Sequence, residues 1–576
     1  MKLTLLFALL SSTALCSPFS ERASAPSVTD SSTHIIYRGK SANNVESFLN
    51  IRFGQHTGGA NRFLHPKPFS YPDSTVVDAS APGAACPQQK QPVPGFDVFD
   101  NVTNVSEDCL TLRVDRPAGT GAGDKLPVFV WIFGGGDSIG QIYDSAYDPT
   151  GLITNSVNQK TPIIYVAMNY RLGVFGFAAT PALNASNNLN SGLMDQWLAL
   201  NWIQKHISSF GGDPTKVTIA GESDGATNVG LHITAYGGDT DYPFQQAIME
   251  SGATTADVDI TNGYSANNTA AVVQALNCTS PTQDSKAEMS CLRALPLDIL
   301  LNTAVLYEYS QDELSFDVFK PSSPDPFIPD APSHLLSSGR FRHNTNILTG
   351  WNENDGSLFA PPPANISTDA DFRAFVKSTF PGLTQGNFQT LLDLYPTTDY
   401  TSDPAENVTA QFFRAAAVQR DQGMTCPSLL IVDSMAAHSK FNTSAYLYAL
   451  NASDFTSFFE QAESTYLGVS HFSDIPFVFG QVDSGPLATL SDHVSGSWAA
   501  FATHGNPSRV QKLDGWLAAD RGGKTDVDKY NIRILGGPKA GQDFISSKNG
   551  SRGYGENVVK KCDFWNSKDV LDQVGT

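Results

Sequence analysis

The sequence predicts an α/β fold built on one large, mostly parallel sheet. Three observations lead there. Short apolar runs without polar alternation recur along the chain, as strands covered on both faces require. Longer amphipathic stretches separate them, which makes helical crossovers between parallel strands the natural connection. The pentapeptide Gly221-Glu222-Ser223-Asp224-Gly225 follows one such run, Val217-Thr218-Ile219-Ala220, and precedes a helix-compatible stretch, Ala226 to Leu231. Strand, Gly-x-Ser-x-Gly, helix is the context of a nucleophile elbow. Its two glycines let the chain turn tightly enough to hold the serine hydroxyl clear of the sheet.

Taken in order, the chain begins with Met1-Lys2, an apolar run from Leu3 to Leu10, and small residues to Cys16. That is the pattern of a secretory signal peptide over residues 1–16. The run is far short of the ~20 apolar residues that span a bilayer. No other stretch is long enough, so no transmembrane segment is expected. Residues 17–33, rich in Ser and Pro, are expected to form a loose arm. Residues 34–576 contain no dividing linker and are expected to form a single catalytic domain with loop and helix insertions. Central strands are expected at Leu126–Ile132, Ile163–Ala167, Val217–Ala220 and Ile347–Thr349, and an amphipathic helical pattern from Gly192 to Phe210. In such sheets the active groups gather at the carboxyl ends of the strands.

Composition narrows the function classes. With 41% hydrophobic and 16% charged residues, the chain suits a globular body with a large core. A formal net charge of −20 repels nucleic acid and anionic membranes, so neither is an expected partner. Ten Asn-x-Ser/Thr sites, at Asn101, Asn104, Asn184, Asn267, Asn277, Asn365, Asn407, Asn442, Asn451 and Asn549, favour a eukaryotic secretory route. Seven cysteines leave six once Cys16 departs with the signal peptide, an even number that suits disulfides in an oxidising compartment. Neither the histidines nor the cysteines show metal-ligand spacing. No phosphate-binding glycine loop is present.

Several blocks carry a resemblance: Ser106-Glu107-Asp108-Cys109-Leu110, Asn169-Tyr170-Arg171-Leu172-Gly173, Gly192-Leu193-Met194-Asp195-Gln196, Phe210 through Gly225, and Ala247-Ile248-Met249-Glu250-Ser251-Gly252. With these, from about Tyr37 to Trp565, the chain resembles the type-B carboxylesterase/lipase family, which also includes cholinesterases and neuroligins. Among its members the chain looks most like secreted fungal esterases and lipases. The resemblance implies an α/β-hydrolase fold and a cofactor-free serine hydrolase acting on small-molecule or lipid esters. It leaves two alternatives, a lipase with a lid and a non-catalytic adhesion protein of the neuroligin kind.

An ester carbonyl resists a neutral serine hydroxyl. A base must take the proton, an acid must orient the base, and donors must hold the oxyanion. In α/β-hydrolases the chain order is Ser, acid, His. Ser223 is the expected nucleophile. The resemblance places the histidine at His471, in Gly468-Val469-Ser470-His471-Phe472, ahead of two rivals, His493 and His504. It places the acid at Asp355, where the family usually has Glu, with Glu353 as the alternative. Aspartate is one methylene shorter, so the histidine must sit closer or the loop must shift. The expected oxyanion donors are the N–H groups of Gly135 and Gly136, in Phe133-Gly134-Gly135-Gly136-Asp137, with that of Asp224 as the third.

Two residues depart from the family pattern. Asp224 stands where a small residue is common, and Asp137 where an aromatic one is. A carboxylate aimed at the oxyanion opposes the chemistry by like-charge repulsion, so both side chains are expected to point away from it. Glu222 and Ser251 stand as supporting residues or as plain packing. The resemblance also implies the pairs Cys86–Cys109, Cys278–Cys291 and Cys426–Cys562. The first closes the loop that forms a lid in lipases of the family. Here that loop is modestly apolar (Val93, Phe96, Val98, Phe99, Val102) and lacks the tryptophan of the family's choline sites.

Overall fold

The four apolar runs do form strands of one sheet, three of them side by side and the fourth one strand further on. A computed structural model describes residues 25–90, 100–311, 317–438, 443–509, 515–519, 529–546 and 557–576. The expected signal peptide lies outside these residues. In chain order the strands are β1 (Ser27–Thr29), β2 (Ile36–Arg38), β3 (Lys40–Ala42), β4 (Val45–Arg52), β5 (Val76–Asp78), β6 (Thr111–Pro117) and β7 (Leu126–Ile132). They continue with β8 (Ile164–Met168), β9 (Gly212–Glu222), β10 (Gln246–Glu250), β11 (Asn346–Asn352), β12 (Ala445–Leu450), β13 (Lys529–Leu535) and β14 (Gly541–Ser546).

Eleven of them make one sheet in the order β14-β13-β12-β11-β10-β9-β7-β8-β6-β4-β3. From β8 through β13 every neighbouring pair is parallel. The flanks, β6, β4 and β3 on one side and β14 on the other, are antiparallel. This is the α/β-hydrolase arrangement. The central strands are fully buried along most of their length, Val128 to Ile132 and Ile164 to Met168 among them. That is why they read as unbroken apolar runs. The expected helix runs Ser191–His206 and buries Leu193, Trp197, Leu200 and Ile203 along one face. It then tightens into a 3₁₀ turn over Ile207–Phe210.

Of the expected arm, residues 17–24 lie outside the described residues, and the remainder is tied to the body of the protein. From Ala25 the chain is ordered. β1 pairs antiparallel with β2, Val28 is buried, and Asp30 Oδ2 lies 2.6 Å from His206 Nδ1. One buried valine and one paired carboxylate anchor a segment whose Ser/Pro content alone reads as loose.

The three disulfides join Cys86–Cys109, Cys278–Cys291 and Cys426–Cys562. Residues 91–99, which hold Val93, Phe96, Val98 and Phe99 of the expected lid, lie outside the described residues, while Val102 is buried. Among the described residues no single helix is long and apolar enough to cross a membrane.

Candidate active site

Because β7, β9, β11 and β12 run parallel, the segments leaving their carboxyl ends meet above one edge of the sheet. β9 ends at Glu222, and the helix Asp224–Thr234 starts after a single residue. That residue, Ser223, has φ 59° and ψ −130°. A side-chain-bearing residue is held there only when its surroundings over-determine it, at about 1–3 kcal/mol. The Ser223 N–H donates to the Glu250 carbonyl at 2.9 Å, and its own carbonyl accepts from the N–H groups of Ala226 and Thr227. The flanking glycines are obligatory: a Cβ on Gly225 would stand 2.1 Å from the Ile132 carbonyl oxygen, and one on Gly221 would stand 2.5 Å from the Gly225 backbone.

His471 Nε2 lies 2.8 Å from Ser223 Oγ. Its Nδ1 lies 2.6 Å from Asp355 Oδ1. The other carboxylate oxygen of Asp355 accepts from the Asn352 N–H at 2.9 Å. The short acid reaches its histidine because two loops are tied together. The Asn354 N–H donates to the Val469 carbonyl at 2.9 Å, and the Val469 N–H returns to Asn354 Oδ1 at 3.0 Å. Asn352 Nδ2 donates to the Ser470 carbonyl at 3.1 Å. Phe359 sets its ring against the imidazole, with centroids 4.8 Å apart. It is thus the Asp355 carboxylate that meets His471, while Glu353 offers its backbone carbonyl to Arg420. His493 and His504 lie on the helix Ala488–His504.

Glu222 Oε1 stands 3.2 Å from His471 Nε2. Burial, then the nearby carboxylates of Asp474, Asp355, Glu250 and Asp224, push its pKa well above the ordinary range. Ser251 lines the same cavity, and its N–H ties β10 to the Gly350 carbonyl at 2.9 Å.

The glycine loop follows β7. Gly135 and Gly136 take φ of 110° and 65°. A Cβ on Gly134 would stand 2.5 Å from the Glu222 carbonyl oxygen and 2.8 Å from Ser223 Cβ, so this loop packs directly on the elbow.

The expectation for Asp224 is overturned here. Its carboxyl Oδ2 accepts from the Gly136 N–H at 2.7 Å, and the same atom is 3.3 Å from Ser223 Oγ. The side chain turns into the oxyanion region, not away from it. The Gly136 N–H gives the side chain a partner there. Burial foremost, then Asp317, Asp257 and Asp137, raises its pKa well above the ordinary range, which lessens the repulsion a carboxylate would meet. Asp137 behaves differently and accepts from Asn228 Nδ2 at 2.9 Å. Its pKa is raised foremost by burial.

Two acids of this pocket escape sequence reasoning. Asp257 and Asp317 bring carboxylate oxygens within 4.8 Å of one another and of Asp224. They sit beside buried Lys320, whose pKa burial lowers but these two acids raise, with a net upward result. Neither flanks a motif, so nothing in the sequence signals them. The cavity over Ser223 and His471, walled by Gly136, Asp224, Phe359 and Met424, measures about 210 Å³. That is below the ~300 Å³ at the small end of ordinary ligand pockets.

Fold and site together define an α/β-hydrolase with a serine at its nucleophile elbow. The Carboxylesterase family profile matches residues 35–534. A secreted lipase of Arthroderma benhamiae is 34% identical over 96% of this chain and 96% of its own. A protein of Byssochlamys spectabilis described as "Inactive carboxylesterase-like protein VdtD" is 40% identical over 91% of this chain and 92% of its own. Among solved structures, one described as "thermophylic PNB esterase" superposes with a TM-score of 0.72 over 91% of this chain and 98% of its own, at 24% identity. The chain belongs to the carboxylesterase family, and by that membership it is a carboxylic ester hydrolase.

Proposed function

We propose that the protein is a secreted serine esterase that works through an acyl-enzyme. Ser223 attacks the ester carbonyl as His471 takes its proton. His471, held in the correct tautomer by Asp355, then protonates the leaving alcohol. Water activated by His471 releases the acid and restores Ser223. The backbone N–H groups of Gly135, Gly136 and Asp224 are the donors assigned to the oxyanion. The observation that carries this reading is the hydrogen-bonded chain from Ser223 Oγ through His471 to Asp355, at 2.8 and 2.6 Å, beneath one cavity.

Secretion rests on the amino-terminal pattern, the disulfides, and relatives named as secreted lipases. Glycosylation is proposed first at the exposed Asn101, Asn104, Asn184, Asn267, Asn277, Asn365 and Asn407. Asn451 is half-buried, and Asn442 and Asn549 lie outside the described residues. Residues 34–576 are proposed to act as one catalytic domain.

A small cavity favours short acyl chains over triglyceride. Hydrolysis of p-nitrophenyl esters from C2 to C16 by the wild type and Ser223→Ala tests both points. Activity that disappears in the variant and peaks at short chains supports the esterase. A long-chain optimum with interfacial activation supports the lipase alternative. A second reading, a non-catalytic member, draws on the Asp224 side chain at the oxyanion donors. It predicts equal, background rates in wild type and variant.

A further inference from the structure

The oxygen nearest both the nucleophile and the glycine loop belongs to the protein itself. The oxyanion of an ester under attack lies about 2.7–3.1 Å from its donors. Asp224 Oδ2 is 2.7 Å from the Gly136 nitrogen, within that range, and 3.3 Å from Ser223 Oγ. It stands in for the oxygen of an ester.

We propose that the Asp224 side chain is a built-in occupant of the oxyanion hole, so that the resting site withholds the Gly136 donor and each substrate must first displace this carboxyl. The proposal rests on the serine-esterase reading and adds the residue that sets how fast the reaction runs. It explains a pocket in which the nucleophile and base are in register while the space beside them is small. It also gives the departure at residue 224 a consequence: the family's small side chain could not reach Gly136, whereas an aspartate can.

The occupant is held from several sides. Gly136 and Asp137 face it from the loop after β7, and Asp257 from the segment after β10. Asp317 and Lys320 face it from the stretch ahead of Pro321. Glu222, Ser223 and His471 complete the ring. Side-chain oxygens of Asp224, Asp257 and Asp317 lie within 4.8 Å of one another, and rotation toward Asp317 is the exit route.

Loss of one oxyanion donor slows hydrolases about 10²- to 10³-fold, so vacating the hole has room to act. Asp224→Ala and Asp224→Gly are expected to raise kcat/KM on p-nitrophenyl butyrate at least about 10-fold and up to about 10²-fold. Asp224→Asn keeps the shape and still fills the hole, so it is expected to gain far less than the two small replacements. Adding Ser223→Ala to Asp224→Ala is expected to return the rate to background. Two small replacements guard against one of them misfolding, and a gain of activity is an outcome that damage does not produce. If Asp224→Ala and Asp224→Gly are no faster than the wild type while the wild type hydrolyses the ester through Ser223, the occupant idea is wrong and the esterase reading stands. If no form hydrolyses the ester, and Ser223 is not labelled by a fluorophosphonate in any of them, both are wrong. A slower Asp224→Ala would make the neutral acid a donor to the substrate, which also overturns the proposal.

Discussion

The backbone N–H of Gly136 and the carboxyl of Asp224, 88 positions apart in the chain, share a 2.7 Å hydrogen bond inside the pocket that also holds Ser223. The bond links the glycine loop after β7 to the first residue of the helix after the elbow. It holds a carboxyl whose pKa burial and then the neighbouring acids push up. Stability should therefore respond to pH through this residue as well as activity.

The sign follows from which state holds the proton. The folded pKa of Asp224 is raised above 3.8, first by burial and then by Asp317, Asp257 and Asp137. Between 3.8 and that folded value, the native protein keeps a proton that the unfolded chain has released. Stability accordingly falls as pH rises through the window. Asp224→Ala removes this contribution, so its stability relative to the wild type is expected to improve as pH rises above about 4. Asp257, raised to about 7 by burial, adds a slope of the same sign that the variant retains. Urea unfolding at pH 4, 6 and 8 measures it; a difference between the two proteins that stays constant over that range would rule out a neutral Asp224.

The fit between Asp355 and His471 gives a second expectation. Asp355→Asn keeps the shape but hydrogen-bonds the wrong tautomer, and kcat is expected to fall about 10⁴-fold. Asp355→Glu restores the acid common in the family, yet it inserts a methylene into a buried 2.6 Å contact. Overpacking of that kind costs about 1–3 kcal/mol. A fall in kcat of roughly 10- to 100-fold is expected, since small misplacements at a reacting centre have effects of that order. Wild-type kcat in Asp355→Glu would show that the two loops adapt freely.

Asn354 tests the tie between those loops. Its side chain accepts from the Val469 N–H at 3.0 Å. Asn354→Ala leaves that donor unpaired, at about 1 kcal/mol, and lets the histidine segment drift. A roughly 10-fold lower kcat with little change in KM is expected from steady-state kinetics. A raised KM with normal kcat would mean that Asn354 shapes substrate binding instead.

How much of this was legible in the sequence depends on the range of the interaction involved. The four central strands were readable because burial on both faces leaves these runs almost wholly apolar, with Thr218 and Thr349 the polar exceptions. β10 and β12 are just as buried, Gln246–Glu250 and Ala445–Leu450, but the polar ends of β10 and the two tyrosines of β12 blur the aliphatic run that marks the other strands. The elbow at Ser223 announced itself because its geometry demands glycines at fixed offsets. His471 and Asp355 required the family resemblance, since neither has a local backbone signature. The departure at Asp224 was visible while its direction was not. That direction depends on Asp257 and Asp317, which only the folded chain brings near. The ordered arm likewise depends on Asp30 meeting His206, a contact no local composition encodes.

The Cys426–Cys562 bridge supports a last expectation. It ties the helix Cys426–His438 to the helix Val558–Trp565 across 136 residues of sequence. The first of these helices packs against the sheet, with Ser428 Oγ 2.9 Å from Thr349 Oγ1 on β11, the strand that leads to Asp355. A crosslink closing so long a loop restricts the unfolded chain strongly, and removing a native bridge typically costs about 2–5 kcal/mol. The double variant Cys426→Ala/Cys562→Ala is therefore expected to lose about that much stability in denaturant unfolding. Its kcat per folded molecule should stay close to wild type, because β11 keeps its own pairing with β10 and β12. Unchanged stability would mean that packing of the carboxyl-terminal helix alone holds this region. A large loss of kcat in protein that remains folded would instead show that the helix Cys426–His438 positions Asp355 through Thr349.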